Sequence, residues 1–193
     1  MVLTFDSLAL QFKDYTDVKG KIRREVQSGR LTQITRGLYE TDARADGKYL
    51  AIYGPSYLSF DYVLSMCSLI PEAIFRTYTS ATFRKGKAKQ YDNAFGVFIY
   101  RDVPAAVYNL GVKIREENGY SYQIATPEKA LCDKLYTISP VGSIKAMRVL
   151  LFDDLRVDES DFWQLNLDDI RQLAPLYKST NHKYLAKLID GGK

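Results

Sequence analysis

The chain has 193 residues, of which 46% are apolar, and 27 Lys and Arg stand against 23 Asp and Glu for a net charge of +4 at pH 7. That length allows one compact domain, or a small domain followed by a medium one, and that apolar fraction can build a proper core. One histidine and two cysteines leave no multi-histidine metal site, no HExxH helix and no disulfide framework. The chain also lacks a GxSxG elbow, a GxGxxG fingerprint and a P-loop, so no catalytic residue, metal site or cofactor is expected.

The first twelve residues, MVLTFDSLALQF, lack the basic start and long apolar stretch of a signal peptide. No run elsewhere approaches the length needed to cross a bilayer, so a cytoplasmic location is expected. Residues 4–12 predict a first helix, with Thr4 as its cap and Phe5, Leu8 and Phe12 as its core stripe.

Residues 17–40, DVKGKIRREVQSGRLTQITRGLYE, organise the chain. Val18, Ile22 and Val26 recur at helical spacing and make one apolar stripe. Gly20, Arg23, Arg24 and Gln27 fall on the opposite side, flanked by Lys19 and Lys21. Asp17 can cap this helix through its carboxylate, and Gly29 can end it in a left-handed conformation. Residues 31–35 and 38–41 then read as two short strands joined at Arg36-Gly37, where Gly37 can take positive φ. A basic helix followed by a basic-tipped hairpin is the outline of a winged helix-turn-helix, whose helix enters the major groove of DNA. Residues 13–36 hold seven Lys and Arg and three acids, a net +4 that equals the charge of the whole chain. Gly20 costs roughly 1 kcal/mol against alanine on an exposed helix. Close approach of the helix backbone to a phosphate would be a reason to keep it. The plainer reading is a charged, solvated helix with an ordinary hairpin behind it.

Residues 42–48 (DARADGK) read as a polar linker, which divides the chain into residues 1–44 and 45–193. A helix is expected over 59–68, capped by Ser59, with Phe60, Val63, Leu64 and Cys67 on its buried side and Pro71 beyond its end. Residues 73–83 and 95–100 have strand composition. Between them Arg84, Lys85, Lys87 and Lys89 form a basic loop, either a solvated turn or a second phosphate contact. Residues 107–116 and 120–125 predict two more strands, joined across Asn118-Gly119, a strong hairpin signal.

Thr126-Pro127-Glu128 is a strong helix start. A second helix is expected over 143–152. Residues 153–169 carry seven acids against the single Arg156. This stretch reads as a solvated face, a patch for a basic partner, or a shield for the basic helix in the absence of DNA. Asn166 and Asp169 suggest a helix cap, and Pro175 interrupts the helix that follows. A last helix is expected over 180–190, ended by Gly191-Gly192, with His182 on its solvent face. Cys67 and Cys132 are expected as buried thiols. The fold class is therefore α+β: a small N-terminal winged helix-turn-helix, then a larger mixed domain with a mainly antiparallel sheet and C-terminal helices.

Several phrases together resemble a family. Lys21-Ile22-Arg23-Arg24, Gly29-Arg30-Leu31 and Arg36-Gly37-Leu38-Tyr39 look like the N-terminal winged helix-turn-helix of AbiEi-type antitoxins, from bacterial type IV toxin–antitoxin systems. Gly54-Pro55-Ser56-Tyr57-Leu58-Ser59 and Leu69-Ile70-Pro71-Glu72-Ala73 are similar to the segment after that domain. Phe95-Gly96-Val97-Phe98-Ile99-Tyr100 and Ala125-Thr126-Pro127-Glu128-Lys129-Ala130-Leu131 resemble a later strand and helix start. The matches span most of residues 17–136, in order. The resemblance implies a protein that represses its own operon by binding inverted repeats in double-stranded promoter DNA. It also implies one that counters a toxin of the nucleotidyltransferase class, with or without direct contact. It places Lys19, Lys21, Arg23, Arg24 and Gln27 on the recognition helix and Arg36 at the wing tip. Arg30, Gln33 and Thr35 complete the expected DNA-binding set. Two other readings compete. One is a protein-binding module whose basic helix meets an acidic partner. The other is a metal-dependent nuclease, for which the acid-x-Lys pairs Asp17-x-Lys19 and Asp46-x-Lys48 lie off the predicted strands.

Overall fold

In the computed structural model, which describes residues 1–191, the first element is a strand. Val2–Thr4 (β1), Thr32–Thr35 (β2) and Leu38–Glu40 (β3) form an antiparallel sheet in the order β1-β3-β2. The strand β1 was not expected, because three residues are too few to show a period. Between β1 and β2 lie two helices, Phe5–Gln11 (α1) and Val18–Gln27 (α2). Both expected caps form: Thr4 Oγ1 accepts the Ser7 N–H at 3.1 Å, and Asp17 Oδ1 accepts the Gly20 N–H at 2.9 Å. Gly29 and Gly37 take φ of +75° and +79°, which end α2 and close the β2–β3 turn. The cap itself gives a reason for glycine at position 20, since a Cβ there would collide with the Asp17 carboxylate. Leu8, Ile22, Leu31 and Tyr39 make the small core of this unit.

The larger unit is built on a six-stranded sheet. Its strands are Tyr57–Leu58 (β4), Thr77–Thr82 (β5), Lys89–Asn93 (β6), Gly96–Asp102 (β7), Val112–Glu117 (β8) and Tyr120–Ala125 (β9). They run in the order β6-β7-β5-β4-β9-β8. The β6–β7, β4–β5 and β8–β9 pairs are antiparallel, and β5–β7 and β4–β9 are parallel. The helices are Phe60–Met66 (α3), Pro127–Tyr136 (α4), Ile144–Arg148 (α5), Glu159–Gln164 (α6), Leu167–Leu173 (α7) and Thr180–Gly191 (α8); α5 runs on as a π-helical segment, Val149–Asp154. The fold is α+β.

Several expectations are corrected. Residues 42–48 are not a free linker: Gly47 is buried, its N–H donates to Tyr78 Oη at 3.1 Å, and Tyr78 Oη donates to Asp46 at 2.9 Å. Ser59 precedes α3, but its hydroxyl donates to Asp133 at 2.7 Å instead of capping the helix. Cys67 ends α3 exposed, while Cys132 is buried. Strand β6 was not expected: it starts at Lys89, the last residue of the basic loop, and continues through residues for which no element is predicted. Strand β8 starts at Val112, not 107; Pro104 opens a run of turns, with Val107 N–H donating to Pro104 O at 3.0 Å. Helix α6 lies inside the acidic stretch, capped by Asp158, with Phe162 fully buried. His182 is buried at 1% exposure, not on the solvent face. Gly192, expected to help end the last helix, lies outside the described residues.

The two units touch through specific bonds. Asn93 Nδ2, at the end of β6, donates to the Ile34 carbonyl of β2 at 3.1 Å. Tyr120 Oη donates to the buried carboxylate of Glu40 at 3.0 Å. Ile34 itself belongs to the large apolar core.

Candidate nucleic-acid interface

Helix α2 and the β2–β3 hairpin enclose an open groove of about 650 Å³. Lys19 and Arg23 line it from the helix, and Gln33 and Arg36 from the hairpin, over a floor that includes Ile22 and Tyr39. The helix is held in place by the burial of Ile22 against Leu8, Leu31 and Tyr39. The tight turn at Arg36-Gly37 then brings the hairpin tip back beside α1, where the Phe5 N–H donates to the Gly37 carbonyl at 2.8 Å. Three cations and an amide therefore share one concave surface, although they are spread over eighteen residues of sequence.

The remaining expected residues divide into three groups. Arg24 and Gln27 are exposed on α2 but do not line the groove. Thr35 is half-buried, and its carbonyl accepts Gln33 Nε2 at 3.3 Å. Lys21 and Arg30 turn away to Glu25. Lys21 Nζ lies 2.6 Å from that carboxylate and sits over the Tyr15 ring at 4.8 Å. Arg30 grips it through both Nε and Nη2. Hydrogen bonds from Arg30 and then Lys21 hold the Glu25 carboxyl down at about 2. The Lys21–Glu25 pair was legible as an i,i+4 spacing. The Arg30 contact was not, since it depends on how the chain turns after Gly29.

A second polar cluster lies inside the larger unit. The Asp133 carboxylate accepts Tyr57 Oη at 2.9 Å, Ser59 Oγ at 2.7 Å, Tyr177 Oη at 2.6 Å and Lys129 Nζ at 2.7 Å. Lys129 and Asp133 are both fully buried. Burial pushes the Lys129 ammonium down and the Tyr57 and Tyr177 phenols up. His182 stacks on Tyr177 with ring centroids 4.0 Å apart, and its Nε2 lies 2.9 Å from the Cys132 carbonyl. With no exposed face, this cluster is a joint that ties α4 to β4 and to the C-terminal segment.

The acidic stretch makes no ion pair with α2 among the described residues; Glu159 pairs with Arg148, and Asp168 with Arg171. Among the described residues, no group of three or more His, Cys, Asp or Glu is placed to hold a metal ion. No described helix is long and apolar enough to cross a membrane. No family model matches the chain, and no significant match is found among the curated proteins.

Proposed function

We propose that this chain is the DNA-binding antitoxin of a type IV toxin–antitoxin system. In this reading it is a cytoplasmic autorepressor that binds inverted repeats in its own promoter and counters a nucleotidyltransferase-type toxin, with no catalytic step of its own. The observation that carries the DNA-binding limb is the groove in which Lys19, Arg23, Gln33 and Arg36 converge. The antitoxin limb rests on the family resemblance of residues 17–136.

The mechanism follows from ordinary nucleic-acid chemistry. Lys19 and Arg36 neutralise phosphates and release counterions, which makes affinity fall steeply with salt. Arg23 and Arg24 on the helix reach base edges, where arginine prefers guanine, and Gln27 and Gln33 offer an amide that suits adenine. The test is fluorescence anisotropy with a duplex from upstream of the protein's own gene beside a scrambled duplex, over a salt series. Preference for the upstream duplex with release of several ions is the expected result. Equal weak binding to both overturns the autorepressor reading. For the toxin limb, co-expression with the neighbouring gene should restore growth that the neighbour alone arrests, and no restoration overturns it.

A further inference from the structure

We infer that the loop between β5 and β6 is a second phosphate contact for the same DNA duplex that fills the α2 groove. This rests on the DNA-binding reading above and extends it to a surface outside the winged unit. Arg84, Lys85, Lys87 and Lys89 place four cations and no acid in six residues. This loop and residues 13–36 each net +4, so the rest of the chain nets −4. Each of these two stretches carries a net charge equal to that of the whole chain, and the groove draws three cations from the first.

The loop is built, not loose. Asp102, at the end of β7, accepts the N–H groups of Lys85 and Gly86 at 2.7 Å each and the Thr82 hydroxyl at 2.7 Å. Those bonds hold the Asp102 carboxyl below its ordinary value, although burial opposes them. Lys85 spends its charge on the Tyr53 ring, 5.2 Å from Nζ. Arg84, Lys87 and Lys89 remain exposed, and none of the three has a carboxylate within 4.0 Å among the described residues. Holding like charges together on a fixed loop costs self-repulsion that a facing polyanion would relieve.

Strand β6 supplies the spacing. It begins at Lys89, and at its other end Asn93 bonds to Ile34, two residues before Arg36. Four strand steps at about 3.3 Å put roughly 13 Å between those ends. A major groove is about 12 Å wide, a span of the same order, so a duplex seated in the α2 groove and running along the β6 edge would bring a phosphate strand to the loop. Among the described residues, the β6 edge between them pairs with no strand on its outer side. Asp102 acts as a positioning residue, since it fixes the loop backbone without reaching the nucleic acid.

The test compares the wild-type chain with R84A/K87A/K89A, which spares Lys85 and its Tyr53 contact, and with the charge-preserving R84K/K87R/K89R. Each is titrated against the upstream and scrambled duplexes across a salt series. Removing two or three phosphate contacts should lower the slope of log K against log salt by roughly 2–3 on both duplexes. The preference for the upstream duplex should survive, and the charge-preserving variant should match wild type. Trimming the upstream duplex from the flank on the loop side should weaken wild type and leave the alanine variant unchanged. An unchanged slope for a folded alanine variant overturns the inference while leaving the autorepressor reading intact. Loss of slope in a protein with no preference for the upstream duplex supports the loop and overturns the autorepressor reading. No binding of either duplex by wild type overturns both. Loss of slope in the charge-preserving variant also overturns the inference, since it points to loop structure instead of charge.

Discussion

Glu25 in the winged unit and Asp133 in the larger unit each stand four helical residues after a lysine, Lys21 and Lys129. On paper the two pairs are the same motif. In the fold, Lys129 and Asp133 are fully buried, whereas Lys21 keeps 20% of its side chain exposed and Glu25 9%. Asp133 gathers two tyrosines and a serine around it, and Glu25 gathers a second cation, Arg30. Spacing along a helix creates the pair, and what packs over the helix decides its role. Inside the larger unit the pair is a structural joint; in the small unit it ties two cations to one acid in a cavity separate from the basic groove.

The comparison is tested most strongly at Asp133. Removing one partner of a buried ion pair leaves an uncompensated charge, at a cost of about 3–5 kcal/mol. Asp133→Ala should therefore lower unfolding stability by that amount in urea titrations, because Lys129 Nζ loses its carboxylate and keeps only Tyr177. A loss under about 1 kcal/mol, the scale of an exposed pair, would place Asp133 with Glu25 and break the contrast.

Acid is the next probe of the same joint. Burial lowers the His182 pKa from 6.5 to about 4, so the folded state holds the ring neutral where the unfolded chain takes up a proton. The stability from the neutral ring is complete above about 6.5 and is lost as pH falls toward 4. At about 1.4 kcal/mol per pK unit, the loss is on the order of 3 kcal/mol. Unfolding free energies measured between pH 7 and 4 should show this decline, and His182→Gln should flatten it. An equal decline in the variant would assign the acid sensitivity to carboxylates elsewhere.

The same contrast explains what was legible in the sequence. Caps and turns are written in local residue types, so Thr4, Asp17, Thr126, Asn166 and the Asn118-Gly119 and Arg36-Gly37 turns read correctly. The basic helix and its hairpin read correctly for the same reason. Short or charged elements did not: β1 and α6 owe their formation to pairing or packing with distant residues, and β6, a hairpin partner of β7, has a polar and charged composition that hid its pairing. His182 looked like a surface residue because Thr180, Lys183 and Lys187 share its helix; its burial comes from Tyr177 and Cys132, neither of them in that helix. Within the candidate site, the sequence supplied the cations, but the division between groove-lining Lys19 and Arg23 and sequestered Lys21 and Arg30 depends on Glu25. The buried cluster around Asp133 was invisible except for its i,i+4 spacing.

On the basic surface the expected effects are smaller and concern binding. Arg24→Ala should cost about 1–3 kcal/mol on the upstream duplex and relax its sequence preference. Arg23→Ala should do the same from within the groove. Arg36→Ala should weaken binding to upstream and scrambled duplexes alike, with a salt slope shallower by about one. Anisotropy titrations separate these outcomes. If Arg24→Ala bound the upstream duplex as tightly as wild type, base reading would belong to the groove residues alone.

Glu25→Gln should give the smallest change and the most direct reading of what Glu25 withholds. The Glu25 carboxyl is held at about 2, so it stays ionised at any pH where binding is measured and would compete with phosphate for Lys21 and Arg30. Neutralising it removes that competitor. Arg30 is the cation released most fully, because Lys21 keeps its contact over the Tyr15 and Phe12 rings. DNA affinity should therefore rise severalfold at low salt on both duplexes, with a slope steeper by about one and convergence with wild type at high salt. The stability carried by the pair depends on that ionised carboxyl. It is present above the ordinary carboxyl value of 4.5 and disappears as pH falls toward 2, and Glu25→Gln removes that dependence. An unchanged salt slope in Glu25→Gln would mean that Lys21 and Arg30 point away from the duplex even when free, leaving Glu25 as a purely structural brace between α2 and the residue that follows its end.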